Sequence, residues 1–248
     1  MSINLSMLIK FISDLHLEFC NSKEILKILG TIGSGEVLVL AGDLGDPFEQ
    51  YYANLFDHVS KNYEKVFCIC GNHEYYGHRM DKTNKKFDEL CNKYGIINMN
   101  QNMIEYKDVR FIGTPLWSHV AGECHLQCDT IHIKDMGVKH RNNMYSRNFE
   151  FIQENLTTDL PTIIITHHLP SCSLIQDQYR LPEYVMLNEW FASSTIENLD
   201  FTGSNVRAWI YGHTHSPLTK IVEGINTYCN PVGYPEEGNK LYIPEIMI

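Results

Sequence analysis

Residues 66–74 read Val66-Phe67-Cys68-Ile69-Cys70-Gly71-Asn72-His73-Glu74: five apolar residues that stop at a glycine and run straight into an amide, an imidazole and a carboxylate. The same event recurs four times. Leu8 to Ile12 runs into Ser13-Asp14-Leu15-His16, Val37 to Ala41 into Gly42-Asp43, Thr162 to Thr166 into His167-His168, and Ala208 to Tyr211 into Gly212-His213-Thr214-His215. Unbroken apolar runs of about five residues suit strands covered on both faces, which implies helices packed on either side of a central sheet. Between the runs the spacing turns helical: Tyr52, Leu55, Phe56, Val59 and Tyr63 share one helix face, as do Phe87, Leu90, Cys91 and Tyr94, with Gly95 placed to end the second helix. Phe149, Ile152 and Leu156 suggest a third. Alternation of strand and helix makes the class α/β. In such sheets the loops after the strands meet at one edge, so five polar clusters separate in sequence become one cluster in space.

Bulk properties narrow the partners. With 248 residues and 44% hydrophobic content, the chain reads as a single domain over residues 1–248, large enough for a full core. From about Trp117 to Asn148 the rhythm breaks, and this stretch reads as a long insertion that could cap the site. Twenty Lys and Arg stand against 30 Asp and Glu, a net charge of -10 with no basic run, so a nucleic-acid binder is disfavoured. No stretch approaches the roughly 18 apolar residues of a membrane span. Eight cysteines without an export signal fit reduced thiols and a cytoplasmic location. Cys68 and Cys70 read as core packing, and Cys124, Cys128 and His132, with His125 beside them, have a spacing that could grip zinc, an exposed insertion being the plainer account.

The polar clusters carry the chemistry. Asp14 and His16 are two apart, so in an extended segment they point the same way and can grip one ion together. Asp43 has two oxygens and can bridge two metals, and Asn72 offers a neutral oxygen to a second ion. His167, His213 and His215 add imidazole nitrogens, and a mixture of N and O donors without thiolate suits Mn, Fe, Zn, Co or Ni, with Mn foremost. Two divalent ions, two carboxylates and a hydroxide leave about +1, which attracts a phosphate ester. Such a pair of ions generates hydroxide at neutral pH to attack phosphorus, and His73, pointing away from its neighbour Asn72, is free to protonate the departing alkoxide. His168 divides evenly between contacting substrate and packing. Asp46 could brace a ligand histidine, a turn before Pro47 being the blander reading, and Glu74 and Tyr75 read as structural.

The set DLH, GD, GNHE, THH and GHTH, in this order from Asp14 to His215, resembles the calcineurin-like metallophosphoesterase superfamily. The resemblance implies two central β-sheets forming a sandwich flanked by α-helices. It implies that Asp14, His16, Asp43 and His215 bind one ion, that Asp43, Asn72, His167 and His213 bind the other, and that His73 contacts phosphate or acts as general acid. Leu44-Gly45-Asp46 lacks the Arg of the superfamily's protein Ser/Thr phosphatases, and Asp46 stands where purple acid phosphatases place a Tyr. GNHEYYG and GTPLWS resemble small bacterial-type and viral members. The expected activity is hydrolysis of a small phosphodiester, nucleotide-like or glycerophosphodiester. The alternatives are a phosphomonoesterase, a nuclease of the same superfamily, or a non-catalytic scaffold that has kept the fold.

Overall fold

The computed structural model describes residues 7–124 and 129–248. The first half of the chain runs β1 (Leu8–Ile12), α1 (Ser22–Ile32), β2 (Gly35–Leu40), α2 (Gln50–Asn62), β3 (Tyr63–Cys68), α3 (Met80–Tyr94) and β4 (Ile97–Asn98). It continues through β5 (Asn102–Tyr106), β6 (Val109–Gly113), α4 (Asp129–His132), α5 (Val138–Asn155), β7 (Thr162–Ile165), α6 (Val185–Phe191) and α7 (Thr195–Asn198). The last stretch holds β8 (Val206–Tyr211), β9 (Leu218–Val222), β10 (Ile225–Cys229) and β11 (Glu245–Met247).

These strands form two sheets, ordered β11-β1-β2-β3-β4 and β5-β6-β7-β8-β10-β9. The strands that feed the polar clusters are parallel within each sheet: β1 to β2 to β3 in the first, β7 to β8 in the second. Side-chain alternation explains the apolar runs. Ile9, Phe11, Val37, Val39 and Phe67 share one core with Phe111, Ile163, Ile165, Ala208 and Ile210 of the opposite sheet, and Phe67 stacks on Phe111 at 4.2 Å. The alternate residues, Ile12, Leu38, Leu40, Val66 and Cys68, pack with Ile28, Ile32, Leu55, Phe56 and Phe87 of α1 to α3. On the far side, Ile112, Ile164, Trp209 and Tyr211 pack with Ile152, Leu156 and Ile196.

Helices therefore cover one face of each sheet and the other sheet covers the second, rather than helices covering both faces of a single sheet. Periodicity reports that both faces are buried and is silent on what buries them. Other boundaries also shift. Tyr63 leaves the helix face it was assigned to and opens β3, its N–H closing α2 on the Val59 carbonyl. The described part of 117–148 is not all irregular: it holds α4, and α5 begins at Val138 and runs on past the stretch to Asn155. Of the suggested zinc group, His125 and Cys128 lie outside the described residues. Asp46 turns the chain instead of bracing a ligand: its Oδ1 accepts the Phe48 N–H at 2.9 Å and its Oδ2 meets His78 at 3.1 Å.

Candidate metal centre

Each polar cluster sits where a strand stops and the backbone changes direction. Asp14, His16, Asp43, His213 and His215 all have left-handed backbone angles, φ 52°, 44°, 55°, 70° and 49°. Such angles are uncommon for residues other than glycine, and here they fall on candidate ligands. Backbone bonds lace the turns together. Asp14 N–H donates to the Gly42 carbonyl at 2.9 Å, His16 N–H to Asp43 at 3.0 Å, Gly212 N–H to His167 at 3.0 Å and Gly233 N–H to Asp14 at 2.9 Å. Gly71 is the tightest point: a Cβ there would collide with the side chains of Asp43 and His167, so only glycine lets the β3 loop approach them.

The seven candidate ligands come together. Donor atoms of Asp14, His16, Asp43 and His215 lie within 4.8 Å of one another, as do those of Asp43, His167 and His213, with Asp43 common to both groups. Asn72 joins the second, its Oδ1 standing 3.1 Å from His167 Nε2. All but His215 are buried.

The hydrogen bonds fix which ring nitrogens are free. His16 Nδ1–H donates to Glu18 at 3.1 Å, His167 Nδ1–H to the Ala41 carbonyl at 2.9 Å, and His215 Nδ1–H to Glu237 at 2.9 Å. In the neutral ring, the form that binds a metal, each Nε2 is then a lone pair. Those of His16 and His215 face each other at 2.9 Å, and that of His167 faces Asp43 Oδ2 at 3.2 Å as well as Asn72 Oδ1. Acceptors crowded against acceptors in a buried site are costly unless a cation lies among them, so the donor set fits two divalent ions. The outward carboxylates and carbonyl bracing each imidazole are the usual partners of metal-ligating histidines.

Charge follows the same layout. Burial alone would raise Asp43, but the charges of His167, His73 and His16 hold its carboxyl well below the ordinary range. His213 is pushed well down, first by burial and then by the neighbouring His167 charge, which keeps its imidazole neutral. His73 goes the other way: burial would lower it, and the Asp43 charge and the Glu18 hydrogen bond raise it above its usual value.

His73 stands beside the ligands, not among them. Its N–H donates to Asp43 Oδ1 at 2.8 Å, its ring lies 4.4 Å from that of His16, Nδ1 meets Glu18 at 2.9 Å, and Nε2 is 3.3 Å from the Tyr234 hydroxyl. It borders a cavity of about 330 Å³ together with Asp43, Asn72, His213 and His215. His168 does not: it is sealed from solvent behind His213 and against Trp117, with ring centroids at 4.5 and 4.9 Å, and its Nδ1 donates to the Pro115 carbonyl. That is packing rather than substrate contact.

Several participants carry no local signal in the sequence. Glu18 accepts from both His16 and His73 through one oxygen, and those two bonds, against the effect of burial, bring it down to about 2. Glu74 accepts the N–H groups of Gly71, Leu44 and Asp43 at 2.7, 2.8 and 3.1 Å, tying the second loop to the third. Asn72 Nδ2 donates to Asp129 at 3.0 Å, and Asp129 pairs with the buried Arg141 at 2.6 Å. Tyr234 packs on His16 and His215 at 4.5 and 4.6 Å. The run Pro231-Val232-Gly233-Tyr234-Pro235, following a strand, is a turn signal that could have marked the last of these.

A family model described as "Calcineurin-like phosphoesterase" matches residues 7–217. "Uncharacterized protein L509" of Acanthamoeba polyphaga mimivirus is 28% identical over an alignment of 263 residues that covers 94% of this chain and 93% of that protein. The solved structure of phosphopantetheinyl hydrolase from Mycobacterium tuberculosis superposes with a TM-score of 0.76 at 16% identity, covering 97% of this chain and 96% of the other. That of a dimetal phosphatase from Danio rerio does so with a TM-score of 0.56 at 12% identity, covering 98% of each. At these identities the two structures establish the shared fold of two mixed sheets flanked by helices.

Proposed function

The chain belongs to the calcineurin-like phosphoesterase family, a family of metal-dependent phosphoesterases, and on that premise we propose that it is a phosphodiesterase acting on a small nucleotide-like or glycerophosphodiester substrate. Asp14, His16, Asp43 and His215 would hold one divalent ion and Asp43, Asn72, His167 and His213 the other, this mixture of N and O donors suiting Mn, Fe, Zn, Co or Ni, of which Mn is the one proposed. When bound, two such ions supply positive charge for the phosphoryl oxygens and an activated water.

The observation that carries the reading is the meeting of two imidazole nitrogens. His16 and His215 present Nε2 to Nε2 at 2.9 Å, each held in that tautomer by a carboxylate behind it. Around that centre the chain's own residues move and place protons. Glu18 fixes the His73 ring through Nδ1, and the raised proton affinity of His73 leaves Nε2–H as the acid for the departing alcohol. The stretch 117–148 is read as the cap of a single domain, which is supported by Asp129 lining the cavity and Arg141 buried behind it. No helix among the described residues is long and apolar enough to cross a membrane. A cytoplasmic location is part of the proposal, supported by the seven described cysteines being free.

The test has two stages. Metal analysis of the purified protein should find two ions per chain, and a chromogenic phosphodiester should be hydrolysed faster than the matching monoester. Asn72→Ala and His73→Ala should each lower turnover by at least about 100-fold. Full turnover in both variants would remove the assignment.

A further inference from the structure

The space over the metal centre has two unlike flanks. One is built by the segment after β7 and by α6, which present Leu169, Ile175, Tyr179, Leu187, Trp190 and Phe191, with the neutral amides of Gln176 and Asn188 among them. Phe191 stands 4.5 Å from the His213 ring, so this apolar wall starts at the Asp43, His167 and His213 donors. The other flank is a cleft of about 430 Å³ where the rings of Phe19, Tyr76 and Tyr234 meet the carboxylates of Glu18 and Asp46. His73 borders both spaces.

Neither Lys nor Arg is among the described residues lining the two spaces. The four residues between Cys124 and Asp129 include none either. Arg141, the buried cation of this region, is engaged elsewhere: it donates to Asp129, to the Ser118 hydroxyl and to the Trp190 carbonyl. Carboxylates do border the first space, namely Asp43, Asp129 and Glu237. The charge of one phosphoryl group can be met at the centre itself. Arg180, in the same segment, lies outside the lining and is turned onto the Ile175 and Ser173 carbonyls at 2.9 and 2.8 Å and onto Asp177 at 3.5 Å. A second anionic group placed along the apolar wall would lose its water, face these carboxylates and find no cation lining the space, which is strongly unfavourable.

We propose that the substrate is a phosphodiester whose one negative charge sits at the metal centre and whose one arm, uncharged and apolar or aromatic, is seated against Leu169, Ile175, Tyr179, Leu187, Trp190 and Phe191. An arm that carries a further phosphate or a carboxylate is rejected. The inference names the substrate class of the phosphodiesterase reading above and rests on it. The wall lies on a segment between two strands of the second sheet, so substrate choice is set apart from the ligand-bearing turns.

Three p-nitrophenyl phosphodiesters decide it, the second ester group being methyl, phenyl or 4-carboxyphenyl, each assayed with the metal-loaded protein by release of p-nitrophenolate. The phenyl ester should exceed the methyl ester in kcat/KM by at least about 10-fold, as burial of a ring predicts. The 4-carboxyphenyl ester should fall at least about 10-fold below the phenyl ester. Tyr179→Arg, at the exposed rim of the wall, should close most of that second gap. Equal rates for methyl and phenyl, a carboxylated ester as good as the phenyl one, or no relative gain in Tyr179→Arg would overturn the inference while leaving a phosphodiesterase. Failure to hydrolyse any of the three with two ions bound would remove the phosphodiesterase reading itself, and this inference with it.

Discussion

Asp14, His16, Asp43, His213 and His215 each accept a left-handed backbone, at a cost of roughly 1 kcal/mol or more per residue. In a turn that follows a strand, this conformation swings a side chain back over the strand end, where the partner turns are. Bracing then fixes the rings. Glu18 is the clearest case, because one carboxylate oxygen holds both a candidate ligand, His16, and the proposed acid, His73. Glu18→Gln keeps the shape and removes the charge, so metal affinity should fall by about 10- to 100-fold, measured by competition with a chelator. An unchanged affinity would show that the carboxylate braces nothing. The clustering of the candidate ligands was legible in the sequence because each is a metal-binding type of side chain just after an apolar run. Glu237, Asp129 and the bond from Glu18 to His73 were not, since those partners lie 22, 57 and 55 positions away, and although His16 is only two positions from Glu18, an acidic residue in a turn looks the same whether or not it reaches a histidine or an amide.

The proposed cap sets a four-residue helix, α4, against the start of the 18-residue α5 around one ion pair. Asp129 opens α4 and holds Asn72 Nδ2, while Arg141 on α5 pairs with Asp129 and lies between the rings of Trp117 and Trp190, at 5.1 and 4.6 Å. Asp129→Ala alone leaves a buried guanidinium without its carboxylate, and unfolding free energy should drop by about 3–5 kcal/mol in denaturant titration. Adding Arg141→Met should return much of that stability, yet activity should stay about 10- to 100-fold down because Asn72 has lost its brace. Recovery of both together would mean that the pair only holds the cap in place. At this scale, α2 and α3 were readable from their apolar spacing, and Gly95 does end α3 with φ at 67°. α5 was half hidden: its first turns carry Lys, His, Arg and Asn, and only its far end shows the apolar spacing.

The five apolar runs were read correctly as strands, but their partition into two sheets rested on resemblance to a family, because sequence periodicity cannot distinguish a helix from a second sheet as the cover of a face. The partition matters for stability. Asp43 belongs to one sheet while His167 and His213 belong to the other, and the His167 Nδ1–H to Ala41 bond crosses between them. An ion held there would tie the sheets and would bind only the folded chain. Held at 100 times its dissociation constant, one such ion adds about 2.7 kcal/mol. In a chain of this size, stripping it with a chelator should lower Tm by roughly 5–10 °C, measured by thermal scanning with and without chelator. No shift would mean that the donors hold no metal. The centre also has a direction in time. Its first candidate donor is Asp14, its last is His215, and the carboxylate bracing that histidine is Glu237. A ribosome therefore exposes Asp14, His16, Asp43, Asn72 and His167 before His213 and His215, so the growing polypeptide carries an incomplete donor set until those last two histidines emerge.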